Sequence, residues 1–134
     1  MGLRDDSPDL EGNTVYDDEP ELDERELLRG AYRDFNARHI DAVLARMHPA
    51  VDWPNGMEGG RVHGHDEVRD YWTRQWSIID PHVDPRGIEP DDDGRMVVEV
   101  HQVVKDLEGK VLSDSIVHHA YRIRDGLIER MDIE

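Results

Sequence analysis

Residues 97–106 alternate in character. Val98, Val100, Gln102 and Val104 share one parity, and Glu99, His101 and Lys105 take the other. A strand of this pattern turns its even positions inward, which sets the Gln102 amide among valines. A buried amide left unpaired costs roughly 1–3 kcal/mol. Gln102 is therefore either satisfied within the core or placed to orient a ligand. Residues 112–123 carry a second candidate. The odd set is Ser113, Ser115, Val117, His119, Tyr121 and Ile123, and the even set includes Asp114, Ile116, His118 and Arg122. Apolar content does not choose between these two faces. Histidine matters here because imidazole can donate a hydrogen bond or act as a general base near neutral pH.

Aromatic side chains could wall a site for such groups. Trp53, Trp72 and Trp76 carry much of the aromatic area. Tyr32 and Tyr121 add hydroxyls to rings that pack as apolar bodies. Metal binding is the rival chemistry. His63-Gly64-His65 would place both rings on one side of a strand, but Gly64 ends that strand and His65 opens the next helix, so we expect no metal. Asp91–Asp93 lacks the spaced ligands of a calcium loop. Cysteine is absent, which removes thiolate ligands, disulfides and a cysteine nucleophile.

The elements that must position these residues follow from periodicity. Asp23 and Glu26 suit a capping box, and Leu27, Leu28, Ala31, Tyr32 and Phe35 fall at helical spacing, predicting a helix over 23–37. A short second helix carries Ile40, Val43, Leu44 and Met47 and is expected to stop at His48-Pro49. Val51-Asp52-Trp53 reads as a short strand ended by Pro54, and Arg61-Val62-His63 as its return. A third helix, with Asp66 and Glu67 in its first turn, presents Val68, Tyr71, Trp72, Gln75, Trp76 and Ile79 on one face and is expected to close at Asp80-Pro81. Asp93-Gly94, Glu108-Gly109 and Asp125-Gly126 then divide a four-stranded meander at roughly 82–90, 95–106, 110–124 and 127–133. Strands this long must curl, and the third helix is the natural cover for the concave side.

The 134 residues suit one domain. Net charge is −16, which repels nucleic acid and anionic membrane. Residues 1–22 hold eight acidic residues and one arginine, with too little apolar surface to offset ordering. They are expected to form a disordered acidic tail before a domain over 23–134. The N-terminus lacks the apolar stretch of a signal peptide and no run approaches a membrane span, so a cytoplasmic location is expected.

The segments AYRDFNARHIDAVLARMHPAVDWP, GGRVHGHDEVRDYWTRQW and HQVVKDLEGKVLSDSIVHHAYRIRDGLIERMDI resemble the SnoaL-like branch of the NTF2-like superfamily over about residues 25–133. The resemblance implies an α+β cone with three N-terminal helices packed on a strongly curved, mostly antiparallel sheet. It places the odd set of residues 112–123, with His119, on the concave face, near where steroid isomerases keep an oxyanion-binding acid. His118 is then turned outward. The resemblance also implies a homodimer through exposed sheet faces. Two departures disfavour isomerase chemistry. Trp53 stands where those enzymes carry a carboxylate base, and Ala31 near where they carry a phenol. The Asp-Arg-Asp arrangement of the epoxide-hydrolase branch has no evident counterpart.

Three functions are consistent with this reading. In the first, a metal-free and cofactor-free pocket performs isomerase, cyclase or lyase acid–base chemistry on a flat, apolar carbonyl compound. His119 and Gln102 are its polar centre, and Trp53, Trp72, Trp76, Tyr32, Tyr121 and His63 are its substrate contacts. In the second, the same pocket binds a small ligand without reaction. In the third, the sheet face and the acidic tail form an interaction module, and the pocket is packed shut.

Overall fold

Leu28, Ala31 and Tyr32 are buried along one side of α1 (Pro20–Asn36), with Phe35 half-buried beside them. This stripe holds the helix on the sheet. The structure is a computed structural model that describes residues 20–134, with side chains from residue 23. The expected tail over 1–22 lies outside the described residues, apart from the helical backbone that begins at Pro20. Asp23 is therefore inside the helix and does not cap it. A proline suits a first helical turn, because the N–H it lacks has no partner there.

Helix α2 (Ile40–Leu44) is followed by β1 (Met47–Pro54), β2 (Arg61–His63), α3 (Gly64–Trp76), β3 (Ile79–Pro90), β4 (Met96–Asp106), β5 (Val111–Arg124) and β6 (Leu127–Ile133). The six strands form one sheet in the order β2-β1-β6-β5-β4-β3. All neighbours are antiparallel except β1 and β6. The expected meander is present as β3 to β6. At the last turn, Asp125 (φ 54°) and Gly126 (φ 77°) both adopt left-handed backbone, the geometry of a tight two-residue hairpin.

Two helix ends differ from expectation, both because of proline. Met47-His48-Pro49 belongs to β1, so α2 ends at Leu44. Beyond Pro49 the strand pairs with β6 on one side and gains β2 only from Asp52 onward, so no ladder needs the missing N–H. Helix α3 stops at Trp76, and Ile79, Asp80 and Pro81 open β3. Strand β3 is an edge of the sheet, where proline is tolerated. Asn36, at the end of α1, holds this edge. Its amide nitrogen donates to the Val83 carbonyl at 2.7 Å, and its oxygen accepts the Val83 N–H at 3.0 Å. The Arg38 guanidinium adds a bond to the Pro81 carbonyl at 2.8 Å. The β3–β4 register shifts between Pro85 and Gly87, a bulge that bends the strand over the core.

The core fills the space between the helices and one sheet face. Leu28, Val43, Met47, Val51, Val68, Val98, Val100 and Ile128 are its largest fully buried members. On the other sheet face, Arg61 joins Asp52 and Asp132, and Arg130 joins the same two carboxylates at 2.7 and 2.9 Å. This network ties β2, β1 and β6 together.

Candidate functional site

Strand parity and helix register converge on a cavity of about 320 Å³ between the sheet and the helices. Helix α1 contributes Tyr32 and Phe35, and α3 contributes Tyr71, Trp72 and Gln75. Strands β1, β3, β4, β5 and β6 contribute Trp53, Val83, Gln102, His119, Tyr121 and Met131 among others. Among the described residues, no Asp, Glu, Lys or Arg lines it. The cavity is open, which removes the packed-shut condition that would have favoured a pure interaction module.

Three polar groups meet at one end. The Tyr121 hydroxyl donates to the Tyr32 hydroxyl at 2.8 Å, and Tyr32 lies 2.8 Å from His119 Nδ1. Tyr32 can donate to Nδ1 while accepting from Tyr121, and in that tautomer His119 carries its own proton on Nε2. The rings are packed as well as bonded. Tyr32 stacks on His119 with centroids 6.0 Å apart, and Tyr121 meets Tyr32 edge-on at 6.2 Å. His119 is only 6% exposed. Burial, with the neighbouring His118 as a lesser cause, pushes its pKa down to about 4. Burial also raises both tyrosine hydroxyls above their ordinary value. At neutral pH the trio is therefore uncharged, and with Nδ1 accepting from Tyr32 it would offer a ligand the Nε2 N–H. His119 Nε2 makes no hydrogen bond among the described residues.

Gln102 lines the same cavity, and its amide has no hydrogen-bond partner among the described residues. It does not sit beside His119. In the β4–β5 ladder His119 pairs with Val98 and Gln102 pairs with Ser115. The four-residue offset is roughly 13 Å at ~3.3 Å per residue. The two predicted polar groups thus serve opposite ends of the cavity.

The remaining predicted contacts divide. Trp53 and Trp72 line the cavity but are not facing walls. Their rings meet edge-to-face at 5.6 Å and form one continuous aromatic surface. Trp76 backs that surface, stacked on Trp72 at 5.8 Å, and is not among the lining residues. His63 lies on the opposite sheet face. Its strand neighbour Val62 takes the inward position, and the exposed His63 ring (63%) is 3.5 Å from Asp52. His65 bonds the Met47 carbonyl at 2.9 Å, so the His-x-His pair is split. Among the described residues no group of three or more His, Asp or Glu is placed to hold a metal. The Asp52–Arg61–Asp132 cluster is an Asp-Arg-Asp arrangement, but it lies on the face away from the cavity. His118 is exposed and 3.7 Å from Glu99.

Phe35, Met57, Val83 and Met131 are lining residues that sequence reasoning did not single out. Ala31 also lines the cavity, and the phenol it lacks is supplied one residue on by Tyr32, already bonded to His119. No helix among the described residues is long and apolar enough to cross a membrane.

Residues 28–131 match the model of the SnoaL-like domain. No curated protein sequence matches the chain. Among solved structures, TerC co-crystallised with polyporic acid is 28% identical, over 84% of this chain and 90% of its own, with a TM-score of 0.73. An NTF2-like protein of unknown function from Burkholderia pseudomallei K96243 is 26% identical, over 84% of this chain and 89% of its own, with a TM-score of 0.73. A Mycobacterium tuberculosis protein in complex with estradiol-17beta-hemisuccinate is 17% identical, over 81% of this chain and 90% of its own, with a TM-score of 0.70. That last likeness is one of fold alone.

Proposed function

We infer from two premises, that this chain belongs to the SnoaL-like domain family and that its cavity holds a neutral, uncommitted imidazole N–H, that the protein takes up a flat, largely apolar carbonyl compound and polarises its oxygen. The observation that carries this reading is the hydrogen bond between the Tyr32 hydroxyl and His119 Nδ1, taken in the direction in which Tyr32 donates. It leaves Nε2–H as a donor in a cavity lined mainly by aromatic and aliphatic groups. A hydrogen bond to a carbonyl is strengthened where water is excluded, and it favours the enol-like charge that develops in isomerase, cyclase or lyase chemistry. The likeness to TerC, crystallised with polyporic acid, supports a ring-shaped, oxygenated ligand.

The test is α-proton exchange. Flat ketones are incubated with the protein in heavy water and followed by proton NMR. Exchange that is lost in His119→Ala supports the reading, and exchange unchanged in that variant sinks it. Non-catalytic binding is the second reading. It is favoured by the lack of any carboxylate among the described lining residues, because proton abstraction then has no strong base. Binding without exchange would select it.

The proposal extends to a cytoplasmic homodimer without nucleic-acid or membrane partners. The charge of −16 and the exposed Leu112 and Ile116 on the outer sheet face support it. A monomer mass by light scattering at micromolar concentration would contradict the dimer.

A further inference from the structure

Besides the His119 trio, the cavity carries two side-chain amides. Gln102 comes from β4, with Val104 two residues on also lining the cavity and the exposed Ser115 opposite it in the ladder. Gln75 comes from the last turn of α3, close in sequence to Ile79, which also lines the cavity. Both amides line the cavity, one from the sheet and one from the covering helix. Neither is fully satisfied among the described residues. Gln102 has no partner among the described residues. Gln75 donates through Nε2 to the Tyr71 hydroxyl at 3.2 Å, while its Oε1 is buried and has no partner. An orphaned buried carbonyl is a standing cost, which a ligand donor reaching it would offset.

The rest of the lining includes Phe35, Trp53, Trp72 and Val83, which offer a ligand apolar contact only. No charged side chain among the described lining residues could neutralise an ionic ligand. Acceptors and donors thus sit at both ends of an uncharged slot, roughly 13 Å apart along the ladder at ~3.3 Å per residue.

We propose that Gln102 and Gln75 form a second recognition point, and that the ligand is an elongated, uncharged ring compound carrying a hydroxyl at the end opposite its carbonyl. The hydroxyl donates to an amide oxygen of the pair and accepts from the Gln102 N–H. This rests on the carbonyl-binding reading of His119 for the orientation of the ligand, and it adds the chemistry of the far end.

A matched pair of rigid probes tests it: para-acetylbiphenyl and its para′-hydroxy derivative, with binding followed by quenching of tryptophan fluorescence. The wild-type protein is expected to bind the hydroxy probe about three- to tenfold more tightly, the equivalent of one net hydrogen bond. In Gln102→Leu that ratio falls to near one. In His119→Phe both probes weaken while the ratio persists. A wild-type ratio near one, a ratio untouched in Gln102→Leu, or no binding of either probe overturns the proposal. Affinity for both probes that is indifferent to His119→Phe, with the ratio kept, counts against the carbonyl reading and leaves the amide end standing.

Discussion

The Tyr32 hydroxyl lies 2.8 Å from Nδ1 of His119, a residue 87 positions further along the chain. One helix and one central strand thereby engage one imidazole nitrogen and leave the other to the cavity. Everything proposed for the cavity follows from that arrangement, because the nitrogen left over is the one a ligand meets.

Tyr32→Phe removes the donor to Nδ1. The ring nitrogen shifts of His119 are expected to move from the pattern of a single Nε2–H tautomer to that of a mixture, as read by nitrogen-15 NMR. Stability should fall by about 1–3 kcal/mol, because Nδ1 and the Tyr121 hydroxyl both lose a buried partner. Unchanged shifts would show that the hydroxyl pair does not set the tautomer.

His119 also links stability to pH. Its pKa is pushed down from 6.5 to about 4 by burial, so the folded state binds its proton less readily than the unfolded chain does. The resulting stability is fully present above pH 6.5 and is lost as pH falls through 4. At ~1.4 kcal/mol per pKa unit the whole effect is about 3 kcal/mol at most. In urea unfolding, the stability gap between wild type and His119→Gln should narrow steadily from pH 6.5 to 4. The other acid-sensitive groups cancel in that difference. A gap independent of pH would refute the linkage.

Asn36→Ala leaves the Val83 N–H and carbonyl without the side chain that now serves both. Chemical denaturation should show a loss of about 1–3 kcal/mol. Amide hydrogen exchange at Val83 should rise more than at Val98, which lies inside the sheet. Equal protection of Val83 in both proteins would mean that the clasp is dispensable.

Much of this architecture is legible in the sequence, and the failures have physical causes. The four strands of the meander read correctly because turn chemistry is local. Asp125-Gly126 needs two left-handed residues and has them. The inward face of Gln102 is legible because valines flank it on its own side. Pro81 misleads because proline ends a helix and also suits a sheet edge, and only topology tells which applies. His63 misleads because a three-residue strand has too few positions to fix its parity, and Val62 takes the inward one. The parallel pairing of β1 with β6 and the contact of Tyr32 with His119 lie beyond any local pattern. Their partners are many residues away, and a side chain's spacing does not name what it meets. For the same reason periodicity finds two tryptophans for the cavity but not that they touch each other.

The clasp at Val83 also bears on how copies of this protein can meet. The Val83 groups taken by Asn36 point away from β4, and Pro81 and Pro85 share their parity on either side. Along this stretch of the outer edge, then, two positions have no N–H to give and the third is already engaged. A passing strand finds no template to extend, which is the usual route to runaway polymerisation. The opposite edge, β2, is three residues long. Neither rim of the sheet invites another chain, and self-association is left to faces.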